Sequence, residues 1–149
     1  MNPVNTKLWV HAVLISKNLR QLITPALEPR LNNFVHEKLL ELGCPSRIIN
    51  GMPEHIHILF LQNPARSMAE VVKKIKSASS FFINESHLCP QKFYWQPGYA
   101  AFGVSESQVQ RVYEYISNQQ EHHQKEKFVS EYNQLLLLHG LILEEEMGK

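Results

Sequence analysis

An α+β domain on one antiparallel sheet is the fold class that the sequence predicts, and three observations predict it. Runs with a strand period and runs with a helix period alternate in the order β-α-β-β-α-β, and Gly and Pro mark the changes of period. The chain length, 149 residues at 17.3 kDa, suits a single domain that buries roughly two-thirds of its unfolded surface.

Leu8 to Ser16 is apolar and rich in β-branched residues, a first strand that leads into the basic turn Lys17-Asn18-Leu19-Arg20. From Glu28 to Leu42, the positions Leu31, Phe34, Val35, Leu39 and Leu42 keep helical spacing, and Gly43 supplies the stop. Ser46 to Asn50 and His55 to Leu61 read as a hairpin across Gly51-Met52-Pro53-Glu54. Ser67 caps a second helix from Met68 to about Asn84, and Glu70 completes a capping box.

Phe93-Tyr94-Trp95 and Tyr99 to Val104 read as strands broken at Pro97-Gly98. Ser105 then caps a helix to about His123, and a last helix from Phe128 to Leu138 ends at Gly140. The order is that of a ferredoxin-like split βαβ sandwich: helices on one sheet face, a tyrosine-bearing helix and a C-terminal helix. Residues 1–149 read as one domain, with a core over about 8–123 and an extension over 124–149.

All 14 acidic residues are Glu, and no Asp occurs. An Asp-based two-metal nuclease, an Asp-containing Ser/His triad and a phospho-aspartate enzyme all lack their residue. Cys44 and Cys89 lack paired Cys-x-x-Cys spacing, which points to reduced thiols in a cytoplasmic protein. The best apolar run, Trp9 to Ile15, is too short to span a bilayer, so neither secretion nor membrane insertion is expected. Residues 1–105 carry 11 Lys+Arg and 6 Glu, giving +5, and residues 106–149 carry 4 and 8, giving −4. This asymmetry suits a polyanion on one side, while the total of +1 argues against sequence-blind duplex binding.

The chemical resource is histidine. His55-Ile56-His57 lies in a predicted strand, so both imidazoles leave the same sheet face and can chelate one divalent ion. Alone, the pair is a weak signal, because His-x-His arises by chance and a sheet surface can carry it without metal. On the helix from Glu106, at ~100° per residue, Gln108, Arg111, Gln119 and His122 fall within roughly 40° of Tyr115. Val109, Tyr113, Ile116 and Gln120 form another face, so Tyr113 belongs with the core and Tyr115 with the polar stripe. Tyr115 and Gln119 are one turn apart and reach the same small volume. Two imidazoles and an amide leave open positions that suit Mg²⁺ or Mn²⁺ better than a closed structural Zn²⁺.

His55-Ile56-His57 after Gly51-Met52-Pro53-Glu54, followed by Tyr115-Ile116-Ser117-Asn118-Gln119, closely resembles the single-tyrosine HUH transposases of small bacterial insertion sequences, the IS200-like transposases. The resemblance covers about Leu8 to His123. It implies that His55, His57 and Gln119 hold a divalent metal, and that Tyr115 is the nucleophile. It implies a homodimer acting on single-stranded, hairpin-forming DNA, with active sites that two subunits can share.

His122 is a candidate to assist Tyr115, and a surface His near a helix C-terminus is equally explained by the helix dipole. Lys73, Lys76 and Arg111 are candidates for phosphates, Lys73 and Lys76 sharing a helix face that Ser77 and Ser80 continue, against the alternative of a solvated face. Tyr94, Trp95, Tyr99 and Phe102 are candidates to stack bases or to pack the core. The alternative function is a non-catalytic or domesticated ferredoxin-like module for single-stranded nucleic acid, which has no need of His55, His57, Tyr115 and Gln119 together.

Overall fold

The computed structural model describes residues 4–120 and residue 139. The chain divides into two compact units, Met1–Ser117 and Asn118–Lys149. The first contains the elements β1 (Trp9–Ile15), α1 (Glu28–Glu41), β2 (Ser46–Met52), β3 (His55–Leu61), α2 (Met68–Ser86), β4 (Ala100–Val104) and α3 (Val109–Ser117). Short 3-10 turns cover Lys17–Leu19 and Glu106–Gln108. The helix expected over Phe128 to Leu138, and His122 and His123, lie outside the described residues.

The strands form one antiparallel sheet in the order β2-β3-β1-β4. That is the split βαβ order, with the two central strands taken from the two halves of the motif. Alternation along β1 and β3 sends Val10, Ala12, Leu14, Ile56, Ile58 and Phe60 to one face, where α1 and α2 close a large core. Trp9 and Leu59 go to the other, where α3 packs Val109, Val112 and Ile116 on them.

Local chemistry sets the ends. After α1, the Gly43 N–H donates to Leu40 O and the Cys44 N–H to Leu39 O, the Schellman pattern, with Gly43 at φ 73°. The backbone angle favours glycine, and a Cβ on Gly43, 2.6 Å from Asn63 Nδ2, would also push the Asn63 side chain aside. Ser67 Oγ accepts the Glu70 N–H at 3.0 Å. Glu70 does not close the expected box: its carboxylate is held by Arg66 at 2.8 Å and Lys74 at 3.3 Å.

Three boundaries differ from the sequence expectation. β2 continues two residues further, because Gly51 and Met52 pair with Ile56 and His55, leaving Pro53-Glu54 as a tight turn. Phe93-Tyr94-Trp95 is not a strand: the Asn84 side chain takes both polar groups of Phe93, and only Trp95 makes a bridge, to Ser16. Ser105 makes no side-chain cap, so Glu106–Gln108 forms a 3-10 turn before α3, which ends at Ser117.

Candidate active site

The histidine pair starts from β3, where residues two apart share a face. Register then adds a third ring, because His11 of β1 stands opposite Leu59 and diagonal to His57. His11 Nε2 and His57 Nδ1 are 2.9 Å apart, so one ring donates to the other. On the other side, Glu54 Oε1 accepts from His55 Nδ1 at 2.9 Å. These four residues are at most 3% exposed. Buried imidazoles and carboxylates are tolerated only with such partners.

Tyr115 approaches from α3. Its ring meets His57 edge-on at 5.8 Å between centroids and His11 at 6.3 Å. Both ends of the helix are tied to the sheet. At the start, Trp9 Nε1 donates to Glu106 Oε2 at 2.7 Å and Lys7 pairs with Glu106 Oε1 at 2.9 Å. Hydrogen bonds from the Lys7 ammonium and the Trp9 indole hold the Glu106 carboxyl below the usual carboxylate range. At the end, Asn50 Nδ2 donates to Ile116 O at 2.7 Å, satisfying a last-turn carbonyl.

The helical face of Tyr115 needs correction. It is not part of an exposed polar stripe: it is half-buried and packs against the same small core as Tyr113, while Gln108 and Arg111 are exposed. What separates the two tyrosines is their neighbours. Tyr115 faces histidines, and Tyr113 lies beneath the Arg47 guanidinium at 5.2 Å.

The donors fit a divalent ion. Nδ1 of each ring is hydrogen-bonded, and the partners Glu54 and His11 would fix the orientation of the rings toward a metal that the pair held, as outer-shell groups do. Among the described residues, no group of three or more His, Cys, Asp or Glu is arranged as a ligand set. Two imidazoles alone are an open set that leaves room for substrate oxygens. Gln119 is buried and belongs to the second unit. Cys44 and Cys89 are free thiols, and burial pushes that of Cys44 up.

The lysine candidates are not brought to this site. α2 packs on the opposite face of the sheet from the histidines. Lys73 is exposed beside a groove between α1 and α2, which Phe34 and Phe81 also line. Lys76 does not share a phosphate face with it: its ammonium donates to Gln96 O at 2.8 Å and Gly98 O at 2.7 Å, and burial lowers its pKa. Of the aromatic candidates, Trp95 is core, donating to Ser79 Oγ at 2.9 Å, and Phe102 flanks His11 at 6.3 Å. Tyr94 and Tyr99 remain exposed.

His11 and Glu54 were not singled out from sequence. Glu54 was read only as part of the Gly51-Met52-Pro53-Glu54 turn, although its position next to His55 was a usable signal. His11 had none, since its partnership depends on strand register.

The family model described as "Transposase IS200 like" matches residues 4–119. The chain is similar to the ISDra2 transposase TnpA of Deinococcus radiodurans, 25% identical over 126 residues, covering 80% of this chain and 87% of that protein. A Deinococcus radiodurans R1 crystal structure, assigned as a transposase, superposes with a TM-score of 0.63 at 22% identity, over 80% of this chain and 95% of the other. A REP-associated tyrosine transposase bound to a REP hairpin gives a TM-score of 0.56 at 18% identity, over 83% and 74% of the two chains. At these identities, the solved structures attest the fold. Among the described residues, no helix is long and apolar enough to cross a membrane.

Proposed function

The chain belongs to the IS200-like transposases, and from that premise we propose that it cuts and rejoins single-stranded DNA through a covalent bond between Tyr115 and a 5′ phosphate. One observation carries the reading: a tyrosine ring is held 5.8 Å from a histidine whose own orientation is fixed by a second histidine. A packing tyrosine needs no such neighbours.

In the proposed step, Tyr115 Oη attacks phosphorus, an O–P bond forms, and the bond from phosphorus to the 3′ oxygen breaks. The phenol gives up its proton, and the departing 3′ oxygen ends as a hydroxyl. One phosphodiester replaces another, so a second strand end can reverse the exchange without ATP. Tyrosine, with an ordinary pKa of about 10, is a weak nucleophile while neutral. His55 and His57 would hold Mg²⁺ or Mn²⁺, and the ion, when bound, would supply charge stabilisation at the scissile phosphate. Gln119 stays the further ligand that the motif implies, and His122 an assisting group. Glu54 and His11 keep the two ligand rings in place.

The substrate is read as a hairpin-forming strand, the chemistry of the REP hairpin held by the REP-associated relative. The working form is read as a homodimer in the cytoplasm. The test is incubation with single-stranded DNA from the flanks of the gene, with Mg²⁺ or Mn²⁺, followed by a denaturing gel. Wild type is expected to give a covalent adduct, Tyr115→Phe to abolish it and Tyr113→Phe to leave it largely intact. An adduct that survives Tyr115→Phe would overturn the assignment, and a DNA-binding wild type without adduct would favour the non-catalytic module.

A further inference from the structure

We propose that a second phosphate-binding pocket, formed by Lys17, Arg20 and Lys92 around Tyr94, grips the single strand beside the histidine site. The inference rests on the reading of the chain as a single-strand enzyme, and it names a contact surface for that substrate outside the reacting centre.

The pocket has a volume of about 230 Å³ and is lined by Lys17, Asn18, Arg20, Leu22, Lys92 and Tyr94. Three of these six are cations and none is a carboxylate. Elsewhere on the surface, Lys7, Lys38, Arg66 and Lys74 each have a glutamate partner. Two ammonium groups, Lys17 and Lys92, stand over the Tyr94 ring at 5.6 and 5.5 Å. Both ammonium groups thus lie beside one exposed ring in a pocket that a third cation also lines, a set of donors that suits an anion.

The pocket is built rather than incidental. Its walls are the turn after β1 and the segment before β4, stitched by the Lys17 N–H to Tyr94 O at 2.9 Å, the Asn18 N–H to Gln96 Oε1 at 3.1 Å, and Arg20 Nη1 to Gln91 Oε1 at 2.9 Å. Asn18 and Leu19, in the turn that carries Lys17 and Arg20, both take left-handed backbone angles, φ 59° and 55°.

Its location ties it to the site. Ile15 pairs with His55 across the sheet, and the Ser16 N–H donates to Glu54 O at 2.8 Å. Lys17 follows directly. At ~3.3 Å per residue along a strand and ~4.8 Å between strands, Lys17 begins within roughly 10 Å of the His55 backbone. A single strand that reacts at the histidine site extends beyond it by more than this distance, and in the pocket its phosphodiesters, not its base edges, would meet the cations.

The test measures binding apart from cleavage. Anisotropy of a labelled single-stranded flank oligonucleotide is followed in EDTA over a salt series, with full-length wild type, K17Q/K92Q and the charge-matched control K38Q/K74Q. Removal of two phosphate contacts at ~0.7 per contact flattens the log K against log salt slope by about 1.4 and weakens binding on the order of tenfold at low salt. The control is expected to bind like wild type, with all three showing the same thermal unfolding. Unchanged affinity and slope in K17Q/K92Q, or an equal loss in the control, would overturn the pocket. So would a loss confined to inorganic phosphate, followed by ³¹P line broadening. A wild type that forms no Tyr115 adduct, yet loses DNA on K17Q/K92Q, would sink the proposed chemistry and leave the pocket standing.

Discussion

Toward α1 and α2, the sheet presents Val10, Ala12, Leu14, Ile56, Ile58 and Phe60; toward α3, strands β1 and β3 present Trp9, His11, His57 and Leu59. The strands are shared, and period-two alternation alone divides the residues between the faces. The first face gains stability simply by burial. The second must satisfy every imidazole it buries, because an unpartnered buried polar group costs about 1–3 kcal/mol. Its histidines are therefore locked in orientation, which is the condition that a ligand set needs. On the proposed function, folding and chemistry sit on opposite sides of one sheet, and mutations on the two sides should separate them.

The largest expected effect is on the apolar face. Phe60 is 1% exposed in the main core, so Phe60→Ala should cost about 3–5 kcal/mol. Calorimetry is expected to show a fall in Tm on the order of 10 °C, with adduct formation lost in proportion to unfolding. If adduct formation vanished while Tm held, the division of labour between the faces would be wrong.

Next in size is His11→Leu. It removes the partner of His57 without altering either proposed ligand, and outer-shell losses of this kind typically weaken metal binding 10–100-fold. Titration with Mn²⁺ is expected to show that weakening, with the Tm falling less than in Phe60→Ala. His11→Gln, which keeps a hydrogen-bonding atom, should recover part of the affinity. Equal Mn²⁺ affinity in wild type and His11→Leu would reduce His11 to packing.

Much of this layout was legible in the sequence, and the rest was hidden for physical reasons. His55 and His57 announced a shared face because alternation is a local rule. Gly43 and Ser67 announced helix ends because caps are local too. His11 and Asn50 were invisible, since their partners, His57 and Ile116, are brought to them by register and packing. Phe93-Tyr94-Trp95 misled for the converse reason. Its aromatic composition has high strand propensity, but the Asn84 side chain satisfies Phe93 and the Trp95 indole is drawn to Ser79. The lysine face of α2 failed similarly, because helical spacing shows which residues share a side of a helix, but not which side of the sheet the helix covers.

The smallest expected effect concerns how α3 is held, and it again compares the faces. Glu106 ties α3 to β1, whereas Glu70 on α2 is held by Lys74 and Arg66, both within four residues. Each carboxyl is held below its usual pKa, Glu106 by Lys7 and Trp9, Glu70 by Lys74 and then Arg66. A carboxyl depressed in the fold stabilises it above the carboxyl's unfolded pKa, and that contribution disappears as the pH falls through the folded value. Wild-type Tm is therefore expected to drop on acidification below the ordinary range of a glutamate. Glu106→Gln should flatten part of that limb and lower Tm slightly at pH 7, while Glu70→Gln changes the profile less. The reason is that a pair across 97 residues exists only when α3 is docked, whereas an i,i+4 pair persists in any residual helix of the unfolded chain. Because both carboxylates are exposed, 150 mM salt should shrink both effects. A profile in which Glu70→Gln moved the acid limb more than Glu106→Gln would mean that α3 is held by its apolar stripe alone, Val109, Val112 and Ile116, and not by its charged end.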